Sequence, residues 1–183
     1  FLLTSNIFAD EFNITAKEVL IDKENQIITG IGSVKAIDSK GKVINSDKIT
    51  YERLKEFLLV EGNVKIVDLE GNILKAKRAT YDKINEIIIT YGDTEFLSND
   101  GYKLISKNVS YNAEQRRLTS QEDSIFSDTE GNMINTTMFE YNMENNLFSS
   151  VGKIKIVDIK KNKYFFKEFH INTKKKEMIG SDV

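Results

Sequence analysis

Asn72-Ile73-Leu74-Lys75-Ala76-Lys77-Arg78-Ala79-Thr80-Tyr81-Asp82-Lys83-Ile84-Asn85-Glu86-Ile87-Ile88-Ile89-Thr90-Tyr91-Gly92-Asp93-Thr94-Glu95-Phe96-Leu97-Ser98-Asn99-Asp100-Gly101 is one period of a pattern that runs through this 183-residue chain. Asn72 to Asp82 alternates apolar and polar residues and is rich in strand formers. Lys83-Ile84-Asn85-Glu86 is a polar turn, and Ile87 opens a second strand that reaches about Leu97. The closing Ser98-Asn99-Asp100-Gly101 has counterparts in Asp38-Ser39-Lys40-Gly41, Asp68-Leu69-Glu70-Gly71 and Asp128-Thr129-Glu130-Gly131. Aspartate first and glycine fourth predicts a type I turn: the carboxylate accepts local amides and glycine takes the left-handed exit. These acids lack the ligand spacing of a calcium loop.

Outward from this stretch the register holds. Tyr51, Tyr81, Tyr111 and Tyr141 recur at one interval, as do Gly32, Gly62, Gly92 and Gly152, with Glu122 as the exception. The turn glycines 41, 71, 101 and 131 follow suit, and Lys161 stands in the fifth place. A fixed period of this size marks stacked supersecondary units. The predicted fold is all-β: an antiparallel roll of about five two-strand repeats, with a turn roughly every 15 residues. Strands of about 11 residues would extend almost 40 Å, longer than usual, and should bend. The mid-strand glycines mark the bend. Leu74 and Leu104 have the opposite parity to Ala79/Tyr81 and Val109/Tyr111, a phase slip of the kind a bulge produces. Glu122 and Arg116-Arg117 predict a local irregularity in the fourth unit.

The inward face then forms rows along the stacking axis. Ile28, Leu58, Ile88, Leu118 and Phe148 make one; Ile66, Phe96, Phe126 and Ile156 a second; Val34, Val64 and Ile154 a third. The other strand adds Leu74, Leu104 and Ile134, then Ile49, Ala79, Val109 and Phe139, then the tyrosines Tyr51, Tyr81, Tyr111 and Tyr141. Val19, Ala36, Ile44, Tyr164, Phe169 and Met178 extend these rows. Folding each strand at its bend sets the two arms face to face over one apolar trough. Such rows read as a dry core or as a binding groove. Small hydroxylated residues at inward positions (Thr90, Thr94, Ser120, Ser124, Ser150) favour looser packing, and the terminal strands offer edges that can pair with a partner.

Composition narrows the chemistry. A net charge of -2 argues against a nucleic-acid binder. There is no cysteine, hence no disulfide or thiolate site, and no proline, which suits uninterrupted ladders. One histidine, His170, sits in a strand with no evident partner, and adjacent Glu122-Asp123 point to opposite faces of a strand. No nucleophile–base pair, phosphate loop, cofactor motif or metal cluster stands out, so no enzyme is expected. Lys160-Lys161-Lys163 and Lys174-Lys175-Lys176 read as solvated turns. Residues 1–9, apolar and ending in Ala9, read as the remnant of an export signal, with a β domain over 10–183.

Ser46-Asp47-Lys48-Ile49-Thr50-Tyr51 with Gly62-Asn63-Val64, repeated as Ala76-Lys77-Arg78-Ala79-Thr80-Tyr81 with Gly92-Asp93-Thr94, resembles the OstA-type repeat of lipopolysaccharide transport proteins. The resemblance covers residues 12 to 183. Among the branches of that family it is most similar to the periplasmic N-terminal domain of the outer-membrane assembly proteins (LptD), with the soluble bridge proteins (LptA) sharing the repeat. It implies a β-jelly-roll, drawn as a folded taco, whose apolar rows line a groove for the acyl chains of lipopolysaccharide. It implies edge-to-edge pairing with an OstA-type periplasmic bridge at the N-terminal edge. A barrel with its lipoprotein plug would follow, at the periplasmic face of the outer membrane. The cysteines that some members carry here are missing.

Overall fold

In the computed structural model, which describes residues 12–181, sixteen strands make one antiparallel sheet. They are β1 (Asn13–Thr15), β2 (Glu18–Asp22), β3 (Ile27–Ile37), β4 (Val43–Glu52), β5 (Phe57–Val67), β6 (Ile73–Asp82), β7 (Ile87–Leu97), β8 (Lys103–Lys107), β9 (Ser110–Asn112), β10 (Arg117–Ser120), β11 (Ser124–Ser127), β12 (Met133–Thr136), β13 (Phe139–Asn142), β14 (Leu147–Val157), β15 (Lys163–Asn172) and β16 (Glu177–Ser181). The expected all-β meander is what the chain builds; its sole helical piece among the described residues is the 3-10 turn Arg53–Lys55. The export-signal remnant at residues 1–9 lies outside the described residues.

The sixteen strands are fewer passes than they seem. β1 and β2 are two halves of one pass that pairs along β3, and β8/β9, β10/β11 and β12/β13 are likewise divided passes. Each pass between the first and the last pairs with the one before and the one after. Every pass has two arms, one ending at the Asp38–Gly41 type of turn and the other at the tyrosine side. The turn arm ends as expected: Gly41 N–H donates to Asp38 O at 3.0 Å and Lys42 N–H to Asp38 Oδ1 at 2.8 Å, with the same bonds at Asp68 and Asp128. The Asp68, Asp128 and Asp158 carboxylates also accept the side-chain amides of Asn72, Asn132 and Asn162, so local donors saturate them.

The arms meet at a crease, and the crease is a row of bulges. On β3, Gly32 and Ser33 both adopt positive φ (77° and 49°), and these two residues face only Asp47 on β4. Gly62-Asn63 repeats this on β5 (75° and 46°), and β7 and β14 slip register at Gly92 and Gly152. Glycine reaches this backbone region without a Cβ penalty. Where Glu122 replaces it, the ladder gives way. The pass splits into β10 and β11, and its neighbours split at Asn108 and at Thr137-Met138. This is the irregularity that Glu122 forecast.

Hydroxyls repair the crease. Ser120 Oγ donates to Lys107 O at 2.7 Å, Ser124 Oγ to Glu122 O at 2.7 Å, and Ser150 Oγ to Met138 O at 2.9 Å. Thr90 Oγ1 accepts Val109 N–H at 2.9 Å and the Thr94 hydroxyl at 2.7 Å. Thr136 and Ser150 bond each other. All of them are buried. The expectation that these small residues loosen the packing is therefore corrected: they satisfy the backbone groups that a broken ladder would leave orphaned.

One consequence is a contrast between two glycines in equivalent places. A Cβ added at Gly62 would sit 2.8 Å from Asp47 Cβ, whereas at Gly92 it would meet nothing within 4 Å. Both have φ near +76° as an average of 75° and 77°. Gly62→Ala is expected to cost about 2–3 kcal/mol, from backbone strain plus the clash, and Gly92→Ala only about 1 kcal/mol from strain. Equal midpoints in urea for the two variants would refute the steric part.

Candidate functional site: the interior and its mouth

The predicted rows converge on one interior. Every residue of the expected lining is buried except Ile28 and Tyr111, which are half-buried. Ile28 lies close to the β2 edge, and Tyr111 stands at the mouth between the arms. The row ends Val19, Tyr164 and Met178 keep the inward register but are exposed, because the terminal passes have no further neighbour to cover them. Aromatic rings fill the middle. Phe126 stacks on Phe148 at 4.4 Å and on Tyr102 at 5.5 Å, and Phe139 stacks on Phe148 at 5.8 Å. The void among Ile66, Leu74, Ile88, Phe96 and Tyr111 is about 10 Å³, room for at most one water. The central interior is thus packed in this conformation.

The ends differ from the middle. Toward β16 the interior opens into a cavity of about 290 Å³ lined by Ile134, Ile156, Tyr164, Phe166, Phe169 and Ile171. Among the described residues β16 pairs only with β15, and β2 only with β3. Both edges carry exposed apolar side chains: Met178 and Ile179 at one, Val19, Leu20 and Ile21 at the other. A further hollow of about 1170 Å³ lies outside, along the crease, with Ile105, Ile125, Val151 and Phe165 among its walls.

The mouth, opposite the crease, is polar. Lys42 Nζ donates to the Tyr81 hydroxyl at 2.6 Å and lies 3.2 Å from Glu86 Oε2 and 3.5 Å from Asp38 Oδ2. Tyr81 in turn donates to Glu86 Oε2 at 2.6 Å. Burial, with Glu86 and Asp38 beside it, pushes the Tyr81 phenol far up, so it stays a donor. Burial alone would raise Glu86, but hydrogen bonds from Lys40, Tyr81 and Lys42 hold it down at about 2. Burial lifts Tyr111 to about 12. Phe12 closes the same region, its ring 5.1 Å from Tyr51 and 5.9 Å from Tyr81. Further along, the Tyr102 hydroxyl crosses the mouth to Thr173 O at 2.6 Å.

Lys42, Tyr102 and Phe12 were missed in the sequence, although the first two leave a trace. The residue after each turn glycine, or after Lys161, is Lys42, Asn72, Tyr102, Asn132 or Asn162. The three asparagines close their own turns. The two that depart from asparagine are those that reach across the mouth.

His170 does have partners, which corrects the expectation that it lacks them. Its Nδ1 is 3.0 Å from Ser149 Oγ and its Nε2 3.0 Å from Glu168 Oε1. Ser149 and His170 are direct cross-strand neighbours, and Glu168 is two residues along β15 on the same outward face. No cavity described above contains Ser149 or His170, and the His170 and Glu168 side chains are open to water. This is a surface polar cluster on an outward sheet face, without the enclosed reacting position that acyl transfer requires.

Fold and interior together define a class: an antiparallel meander folded lengthwise into two arms, with a continuous apolar interior and unpaired apolar edges. No protein-family model matches the chain, and no curated protein does. Among solved structures, the chain is similar to LptH of Pseudomonas aeruginosa, described as the LptA-homologous periplasmic component of the lipopolysaccharide transport device. The identity is 9%, over 95% of this chain and 84% of that one, at a TM-score of 0.30. It is also similar to the CPAP G-box domain, at 13% identity over 81% of this chain and 96% of that one, with a TM-score of 0.16. A third likeness is the TCP10 domain of Danio rerio CPAP with a STIL peptide, at 11% identity over 86% and 99%, with a TM-score of 0.17. None of these likenesses carries a functional conclusion.

Proposed function

We propose that this chain is a non-enzymatic carrier in lipopolysaccharide transport, sheltering acyl chains between its two arms while sugars and phosphates stay in water. The observation that carries this reading is the unbroken apolar interior, which opens at the β16 end into an apolar cavity. The repeat motif of the sequence supports it. Burying an acyl chain gains about 0.8 kcal/mol per methylene, so retention needs no polar grip. Equivalent rows at a fixed spacing offer near-equal sites, along which a lipid pushed from behind advances. The interior residues Ile66, Phe96 and Phe126 would touch the chain, having spread from the packed state.

The reading extends to location and partners. The domain works in the periplasm, its β2 edge pairing with an OstA-type bridge through Leu20 and its neighbours. In the finer assignment it is the periplasmic domain of an outer-membrane assembly protein, delivering lipid to a barrel with its lipoprotein plug; in the coarser one it is a soluble bridge. A structural roll with a dry core is the second reading, and the filled centre favours it.

A photo-crosslinking phenylalanine analogue at Ile66, with the outward-facing Lys65 as control, separates the two. In cells or with purified lipopolysaccharide, adducts are expected at position 66 and not at 65. Clean protein at 66, with the fold intact by circular dichroism, would establish the dry core instead.

A further inference from the structure

The mouth is held by ion pairs that obey the repeat. Lys40 Nζ bonds Glu86 Oε1 at 2.6 Å, Arg116 bonds Glu70, and Lys176 Nζ bonds Glu130 Oε1 at 2.8 Å. Each pair spans 46 residues, from a glycine turn on one arm to a tyrosine-side turn on the other. Members on one arm are 40, 70 and 130, and on the other 86, 116 and 176, so the pairs are rungs of one 30-residue register. The sign reverses once: the glycine-turn arm supplies a cation at 40 and anions at 70 and 130. The register has one vacant rung, where Asp100 would face Asn146, an amide that brings no charge. A cavity of about 620 Å³ lies at the mouth, bordered by Lys40, Glu86, Glu70 and Arg116.

The two long boundaries of the interior therefore differ in kind. The crease is covalent chain, tied by bulges and buried hydroxyls. The mouth has no covalent link: apart from the buried Lys42 cluster and the Tyr102–Thr173 bond it is held by ion-pair rungs. Of these, Lys40, Glu130 and Lys176 are more than half exposed and Glu70 and Arg116 more than a third, while Glu86 is largely buried. Exposed pairs of this kind are individually weak and screened by salt. From this contrast we infer that the mouth is a salt-bridged seam that opens sideways to admit the acyl chain. Opening begins at the Glu70–Arg116 rung, both of whose members are more than a third exposed, because the chargeless position beside it is spanned by the buried Tyr102–Thr173 bond. Sideways entry explains how a chain reaches an interior whose centre has no standing void. This inference rests on the carrier reading for its ligand, while the latch itself rests on the ion pairs alone.

The absence of cysteine makes the test clean. Leu69→Cys and Glu114→Cys, both exposed residues bordering the mouth cavity, take one spin label on each arm. Distance distributions are read at about 0.05 and 0.5 M salt, concentrations that bracket strong and weak screening. Uptake of a fluorescent long-chain fatty acid is timed in parallel. High salt is expected to populate longer distances and to speed uptake severalfold. Arg116→Glu should speed uptake at low salt by about threefold or more, the effect of losing one exposed pair and gaining a repulsion. Glu70→Lys with Arg116→Glu should restore the slow rate. If the probe binds while distances ignore salt and the swap fails to restore, sideways entry is overturned and the carrier reading stands. If distances widen with salt but neither fatty acid nor lipopolysaccharide binds, the latch is upheld and the carrier reading falls.

Discussion

Phe126→Ala should lower the melting temperature by about 10 °C, the largest effect expected of any single truncation in this chain. Phe126 is almost wholly buried at the centre of the aromatic cluster, stacked on Phe148 and Tyr102 and edge-on to Tyr141 at 6.1 Å. Removing such a ring costs about 3–5 kcal/mol in transfer and cavity terms together. For a domain of this size each kcal/mol shifts the midpoint by about 2–4 °C. Phe165→Ala, on the outer face at 65% exposure, should move the midpoint by no more than about 1–2 °C. Thermal melts of the two variants decide the matter. If they match, the interior is not the structural core that its burial indicates. The same variant bears on function. A ligand that enters the interior should raise the melting temperature of Phe126→Ala more than that of the parent, because the truncated site offers room without separating the arms.

Lys42→Met should destabilise by about 3 kcal/mol at neutral pH, although it preserves the length and most of the apolar stem of the side chain. Lys42 and Asp38 are both buried, and the ammonium is shared among Asp38, Glu86 and the Tyr81 hydroxyl. Breaking a buried pair by removing one partner leaves an uncompensated charge, which costs about 3–5 kcal/mol. The low end applies because Lys40 still bonds Glu86 at 2.6 Å. The pH dependence has a defined sign. Glu86 lies at about 2 in the folded chain against 4.5 for the free group, so it binds protons more weakly when folded. Its contribution is present above about pH 4.5 and is lost as pH falls toward 2. With Lys42 gone that depression shrinks, so the variant should lose less stability than the parent between pH 6 and about 3. Urea denaturation at the two pH values tests this. Parallel losses in both proteins would show that Lys42 does not stabilise the Glu86 carboxylate.

The two variants probe opposite faces of one design. The interior rows hold the arms together by apolar contact, and the mouth cluster closes them over a polar margin. A carrier needs the first to be continuous and the second to be reversible. Phe126 belongs to the continuous part, and the ladder of exposed pairs to the reversible part. Lys42 stands between them: it is a buried anchor at the Lys40–Glu86 end, where Phe12 also seals the mouth. Opening is therefore expected away from that cluster, at the exposed Glu70–Arg116 rung.

Much of this molecule could be read from residues alone. The 30-residue register, the type I turns, the mid-strand bulges and the inward faces of Leu58, Ile88, Phe96 and Phe126 follow from hydrogen bonding and alternation within a few residues of each other. Glu122 announced its own break, since a β-bulge at that position asks for positive φ and glutamate resists it. What tertiary structure alone decided is how the arms meet. The pairing of Lys40 with Glu86, or of Tyr102 with Thr173, spans 46 or 71 residues and depends on the separation of two arms that no local pattern encodes. The same holds for the hydroxyls at the crease, whose partners are backbone groups released by breaks in neighbouring passes. Local chemistry set each strand's face; only the distance between faces could say which polar groups would touch and where the interior would close.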